Sequence, residues 1–119
     1  MKGDIGDRQF PVHERYMAQA LKEAEKARKR GETPVGAVIV KAGNIIARGH
    51  NERELKQDAT LHAEMTAIRA ACKKLGSWRL TDCDIYVTLE PCAMCAGAII
   101  QARLRCLYIG TSDLNAGAA

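Results

Sequence analysis

Between residues 12 and 30, Tyr16, Met17, Ala20, Leu21 and Ala24 recur at three- and four-residue steps. Lys22, Glu23, Lys26, Lys29 and Arg30 take the opposite face, so the pattern predicts an amphipathic helix. Residues 1–11 lack that periodicity and are expected to form a flexible tail ahead of a single domain over 12–119. Gly31 is placed to close the helix, and Pro34 prevents its resumption. Two short runs rich in β-branched residues follow at 35–40 and 45–49, with Lys41-Ala42-Gly43-Asn44 between them as hairpin-turn chemistry. The first run has few polar residues on either face, which predicts a strand inside a sheet covered on both sides.

After a polar loop over 51–61, helical spacing returns with Met65, Ile68, Ala71, Cys72 and Leu75 and stops at Gly76. A third strand is expected at 85–89 and a fourth at 105–109. Between them a helix over 92–102 is opened by Glu90-Pro91, since proline suits a first helical position. A strand-helix-strand unit of this length implies parallel pairing. The order α-β-β-α-β-α-β predicts an α/β fold, a three-layer α/β/α sandwich with a mixed sheet. Residues 111–119 show neither pattern, leaving the last strand without a following element. The expectation is that a partner covers it or that the native chain continues past Ala119.

Composition narrows this picture more than it adds to it. The 119 residues are 47% hydrophobic and 27% charged, a globular balance that excludes disordered and fibrous classes and fits one domain. No apolar run approaches the roughly 20 residues of a membrane span, and residues 1–10 hold no signal-peptide core, so no membrane role and a cytoplasmic location are expected. The net charge of +4 is compatible with a polyanionic partner without requiring one. At 4% aromatic residues, base-stacking sheets are poorly supplied, so any bound nucleic acid is expected in a pocket. Five cysteines, an odd number without export signals, favour thiols or metal ligands over disulfides.

Two short motifs supply the candidate chemistry. His62-Ala63-Glu64 opens one predicted helix and Pro91-Cys92-Ala93-Met94-Cys95 the other. Cys92 and Cys95 sit three residues apart, close enough to grip one ion. A helix N-terminus is expected to lower their thiol pKa toward the ligating thiolate. Taken alone, the pair reads as a redox or structural zinc site ahead of a catalytic one. With His62 (Nδ1 or Nε2) it makes three protein ligands, which leaves a fourth zinc position for water or substrate. Residues two apart on a regular helix do not face each other, so His62 and Glu64 converge only if His62 lies at the very start of its helix. Two thiolates already neutralise Zn²⁺, so its water is expected to be less acidified than the pKa of about 7 on a three-histidine zinc. Glu64 is therefore the expected general base and acid.

This His-Ala-Glu and Pro-Cys-x-x-Cys pair resembles the signature of the zinc-dependent nucleoside and nucleobase deaminases. The resemblance extends through Gly31-Glu32-Thr33-Pro34-Val35-Gly36-Ala37-Val38, Asn51, residues 87–98, Tyr108-Ile109-Gly110, and Asp113 to Ala118. Over nearly the whole chain from His13 it is similar to the bacterial tRNA-specific adenosine deaminases. The resemblance implies a cytidine deaminase-like fold and Zn²⁺ on His62, Cys92 and Cys95. It also implies a homodimer that converts the wobble adenosine in the anticodon loop of an arginine tRNA to inosine. It further places Asn51 and the backbone around Ala63 against the flipped adenine, and Asp113 near the nucleotide's backbone or ribose.

Three departures stand out. Asp58-Ala59-Thr60-Leu61-His62 replaces the family's Asp-Pro-Thr-Ala-His, Asn115 replaces a common lysine, and members continue with a further strand and helix.

The remaining residues read more plainly. Cys72, Cys83 and Cys106 are expected to be small apolar packers, His13 and His50 surface or capping residues, and Trp78 an anchor for the loop before the third strand. The Lys26 to Arg30 cluster is by default a solvated helix face. The helix over 92–102 is apolar nearly all round until Gln101, which predicts burial of its outer side at a twofold interface. Two rival functions share these residues. One is deamination of free guanine, cytosine or cytidine by the same zinc chemistry. The other is a non-catalytic zinc-stabilised RNA-binding subunit, against which Glu64 argues because a structural site needs no proton shuttle.

Overall fold

The computed structural model describes residues 6–111, with side chains from residue 11 onward. Its first helix, α1, spans Gly6–Lys29, and a hairpin of β1 (Gly36–Lys41) and β2 (Asn44–His50) follows. A one-turn helix α2 (Arg53–Lys56), then α3 (Ala63–Leu75), β3 (Cys83–Val87), α4 (Ala93–Gln101) and β4 (Cys106–Ile109) complete the described chain. The strands form one sheet in the order β2-β1-β3-β4. β1 pairs antiparallel with both β2 and β3, while β3 and β4 are parallel across α4. The mixed sheet and the parallel unit are as the sequence predicts. The second antiparallel pair, β1 with β3, was not read from it.

β1 is the hub because its alternate side chains serve two cores. Val38 and Val40 join Tyr16 and Ala20 of α1 and Tyr86 of β3 on one face. Ala37 and Ile39 join Ile85 and Val87 of β3, Ala63, Ala67, Ile68 and Ala71 of α3, and Ile99 of α4 on the other. Each fully buried valine or isoleucine contributes about 1.5–3 kcal/mol, so this strand alone ties both helical layers to the sheet. Gly31 has φ of +77° and ends α1 as expected, and the hairpin turns through Ala42 and Gly43, both at positive φ.

Several expectations need correction. α1 starts at Gly6, ahead of the helix predicted from residue 12, and takes in Pro11, which forgoes one backbone hydrogen bond. Pro91 stands outside α4, whose first helical residue is Ala93. β3 runs over Cys83–Val87 and not 85–89, because Cys83 is buried in the core while Thr88 caps the strand end. α2 was missed altogether. No helix among the described residues is long and apolar enough to cross a membrane.

One close approach sets the position of the site. A Cβ on Gly49 of β2 would lie 2.3 Å from the Ala63 carbonyl oxygen and 2.7 Å from the Ala67 nitrogen. Only glycine lets β2 lie against the first turn of α3, which carries Glu64 and follows directly on His62.

Candidate metal centre and substrate cavity

His62 is the residue just ahead of α3, with extended backbone at φ −75° and ψ 157°. Cys92 holds the same place ahead of α4, at φ −71° and ψ 175°. The condition for His62 to converge with Glu64 is thus met: the histidine sits outside the helical repeat and Glu64 within its first turn. Cys92 likewise precedes its helix, so the two cysteines meet across a helix start and do not share a helical face.

The ligating atoms of His62, Cys92 and Cys95 all lie within 4.8 Å of one another. Cys92 Sγ is 3.5 Å from His62 Nδ1. Nitrogen and sulfur held at about 2.0–2.1 and 2.3 Å by one tetrahedral ion would be roughly 3.5 Å apart, so Nδ1 is the nitrogen placed to ligate. Burial first, and the charge of Arg53 second, push His62 below its ordinary pKa, which keeps the imidazole in the neutral form that binds metal.

Cys95 is fully buried, and its thiol is pushed up by that burial first and then by Glu64 and Cys92. The helix start therefore does not by itself yield the thiolate expected from sequence, because desolvation outweighs it. Glu64 is only 3% exposed, and burial pushes its carboxyl up as well. Its Oε1 finds no hydrogen-bond partner among the described residues. Two thiols gathered with one imidazole, and a carboxyl bonded to the Cys95 thiol that leaves an orphaned oxygen, form a donor set that a divalent cation would offset. The residues fit zinc.

A cavity of about 150 Å³ opens on this cluster, lined by Thr33, Val35, Asn51, Arg53, His62, Ala63, Glu64, Leu89, Glu90 and Cys92. Asn51 is buried at the end of β2. Its Oδ1 accepts from the Arg53 backbone N–H at 3.2 Å, and its Nδ2 approaches the Thr33 carbonyl at 3.5 Å. Ala63 is fully buried and lines the same cavity. The structure thus gathers His62, Ala63, Glu64, Cys92, Cys95 and Asn51, while Asp113 lies outside the described residues, as does Asn115. Arg53 and the Thr33–Val35 wall were not singled out from sequence. Their only signal was membership of the Gly31 to Val38 stretch or adjacency to Asn51.

Other side chains differ from expectation. His13 is only partly exposed: its Nδ1 shares a 2.5 Å hydrogen bond with the Tyr86 hydroxyl, and its ring stacks on Tyr108. His50 Nδ1–H donates to the buried Glu23 carboxylate at 3.0 Å, joining β2 to α1. Trp78 is 55% exposed, with the Arg79 guanidinium over its ring, so it anchors little. Cys83 is buried in the core as expected, and Cys72 packs against the same cluster. In the basic cluster, Lys26 pairs with Glu23 and Arg28 with Glu25.

Comparison with known proteins follows this geometry. Residues 11–111 match the family described as the cytidine and deoxycytidylate deaminase zinc-binding region. The chain is 53% identical over 104 residues to the tRNA-specific adenosine deaminase of Bacillus subtilis (strain 168), covering 87% of this chain and 65% of that protein. It therefore spans about two thirds of that relative's length. A solved structure from a study of A-to-I editing by tRNA:A34 deaminases superposes with a TM-score of 0.86 at 51% identity, covering 87% of this chain and 75% of that one. A guanine deaminase structure from Bacillus subtilis superposes at 0.82 with 46% identity, covering 84% and 64%. With a matching family region across nearly all of its described residues and the His-Cys-Cys cluster with its buried glutamate in place, the chain belongs to the zinc-binding cytidine and deoxycytidylate deaminase family.

Proposed function

We propose that this domain hydrolytically deaminates the wobble adenosine of a tRNA anticodon, that of an arginine tRNA, to inosine. The observation that supports it most is the buried Glu64, with its unpartnered Oε1, facing both the His62, Cys92 and Cys95 cluster and a cavity of about 150 Å³. Zinc held there would supply a Lewis acid that makes water a competent nucleophile near neutral pH. Glu64 takes one proton as water's oxygen bonds to C6 of the ring and delivers it to the adjacent ring nitrogen, then takes the second proton from the new C6 hydroxyl and delivers it to the amine, so that the C6–N bond breaks, ammonia leaves and the C6 carbonyl remains. Asn51 and the backbone at Ala63 hold the base edge, and Asp113 holds the nucleotide's backbone or ribose. The cavity is small against the roughly 300–1,000 Å³ of drug-sized sites, so it takes a base that is already unstacked, as in a loop. Flanking nucleotides must then lie on the surface, where the exposed Arg53 borders the cavity.

The preference for RNA adenosine over a free base rests on the 53% identity to a tRNA-specific adenosine deaminase. The guanine deaminase structure at 46% identity favours free-base deamination as the second reading. Salt separates them. Binding of an anticodon stem-loop should weaken steeply between 50 and 200 mM salt, by about tenfold or more if only a few phosphates are neutralised. A flat salt response together with fast turnover of guanine or cytidine replaces the RNA reading with the second.

We also place α4 at a twofold interface. Ala93, Met94, Gly97 and Ile100 form an exposed apolar stripe along it, with Ile100 68% exposed. Ile100→Glu should convert a dimer to a monomer in sedimentation at micromolar concentration, since a charge there would be buried unpaired. A wild-type chain that is already monomeric contradicts the placement.

A further inference from the structure

We propose that Glu32 is a positioning residue whose buried carboxylate brackets the two walls of the substrate cavity and so fixes Asn51 and Arg53 for binding. The proposal rests on reading this cavity as the substrate site, whichever base fills it. Glu32 is 5% exposed, at the start of the 32–35 segment that forms one wall. Its Oε1 accepts from the Glu54 backbone N–H at 3.0 Å, and its Oε2 accepts from that of Leu55 at 2.5 Å. The preceding N–H, that of Arg53, donates to Asn51 Oδ1. Three successive N–H groups of α2 are thus taken by two side chains, one of them a cavity residue.

Apart from backbone bonds within the turn and one from the Glu52 N–H to the Leu61 carbonyl at 3.0 Å, little among the described residues holds α2 in place. α2 is four residues long, buries no residue, and has no side-chain cap from Glu52. The ion pairs around it, Arg30 with Glu52 at 3.7 Å and Lys56 with Glu52 at 3.5 Å, involve exposed cations and carry little energy. Charge-assisted bonds to a buried carboxylate are the stronger kind, and a buried carboxylate without them would be costly. The bracket is completed by Asn51, whose backbone N–H donates to the Val35 carbonyl at 3.2 Å. Glu32 therefore ties the 51–55 backbone to the wall opposite it, through groups that touch neither the metal cluster nor Glu64.

Losing the bracket should weaken substrate binding while leaving the chemical step in place, since the reacting groups sit on α3 and α4. For Glu32→Ala, KM for an anticodon stem-loop RNA is expected to rise about tenfold or more with kcat within about threefold of wild type. Zinc content should be unchanged, and exchange of the Glu54 and Leu55 amide hydrogens should accelerate. Glu32→Gln, which keeps one acceptor oxygen, should fall between the two. The Glu32→Ala/Asn51→Ala double variant should lose clearly less than the sum of the two single losses, because both act in part through the placement of Asn51.

An unchanged KM, fully additive losses, a kcat that falls with zinc content, or unfolding of both single variants would overturn the proposal. If wild type turns over guanine and not RNA, the tRNA reading fails. Glu32 is then judged by the same split in KM and kcat measured with guanine.

Discussion

Glu64→Gln is expected to lower deamination by about 10²–10⁴-fold while the fold and metal content stay those of the wild type. The amide matches the carboxylate in shape but cannot take a proton from water or return one to the leaving amine. Glu64 is among the most buried polar side chains of the described residues; its Oε1 has no partner there, and its carboxyl bonds the Cys95 thiol, a contact that the amide can keep. Burial also pushes its carboxyl up, so a neutral side chain at this place should leave thermal stability equal or slightly higher. Turnover assays, zinc analysis and a melting curve on the same preparation separate the outcomes. Near-normal turnover would remove Glu64 from the mechanism, and a loss of activity that tracks lost zinc would make its role structural.

Stripping the metal is expected to have an effect at least as large. Cys95→Ala removes a fully buried ligand from a cluster whose members lie within 4.8 Å, so zinc should fall from one per chain to little or none and activity with it. Chelation of the wild type should do the same reversibly. An ion present at 1,000 times its Kd stabilises the folded state by about 4 kcal/mol, so the melting temperature of the stripped protein should drop by at least several degrees. Burial holds the Cys95 thiol up, toward its protonated form, and keeps His62 toward its neutral form, so zinc binding at Cys95 should release a proton. Full turnover by a zinc-free preparation would contradict this account.

How much of this was legible in the sequence follows from what each signal measures. Apolar periodicity reports burial, so β1, the hairpin and the apolar face of α3 could all be read, each being fixed by side chains that must leave water. The convergence of His62 and Glu64 was also readable, as a geometric condition: two residues apart, they meet only across a helix start, and the extended backbone at His62 supplies one. α2 was not readable, because it buries nothing and is held by Glu32, a residue more than twenty positions away. The same blindness hid His13 and His50. A histidine's neighbours Tyr86 and Glu23 come from distant elements, and no local pattern announces them. The Cys95 thiol shows the opposite error: the local helix-start argument predicts a lowered pKa, while burial and the neighbouring Glu64 and Cys92 raise it.

The measurement closest to the central claim is mass-spectrometric detection of inosine after incubating the zinc-loaded protein with an anticodon stem-loop carrying adenosine at the wobble position, beside free adenosine, guanine and cytidine. The account predicts conversion of the wobble adenosine alone, abolished in Glu64→Gln, with free adenosine a very poor substrate. Conversion of guanine or cytidine with an unaltered stem-loop would contradict it.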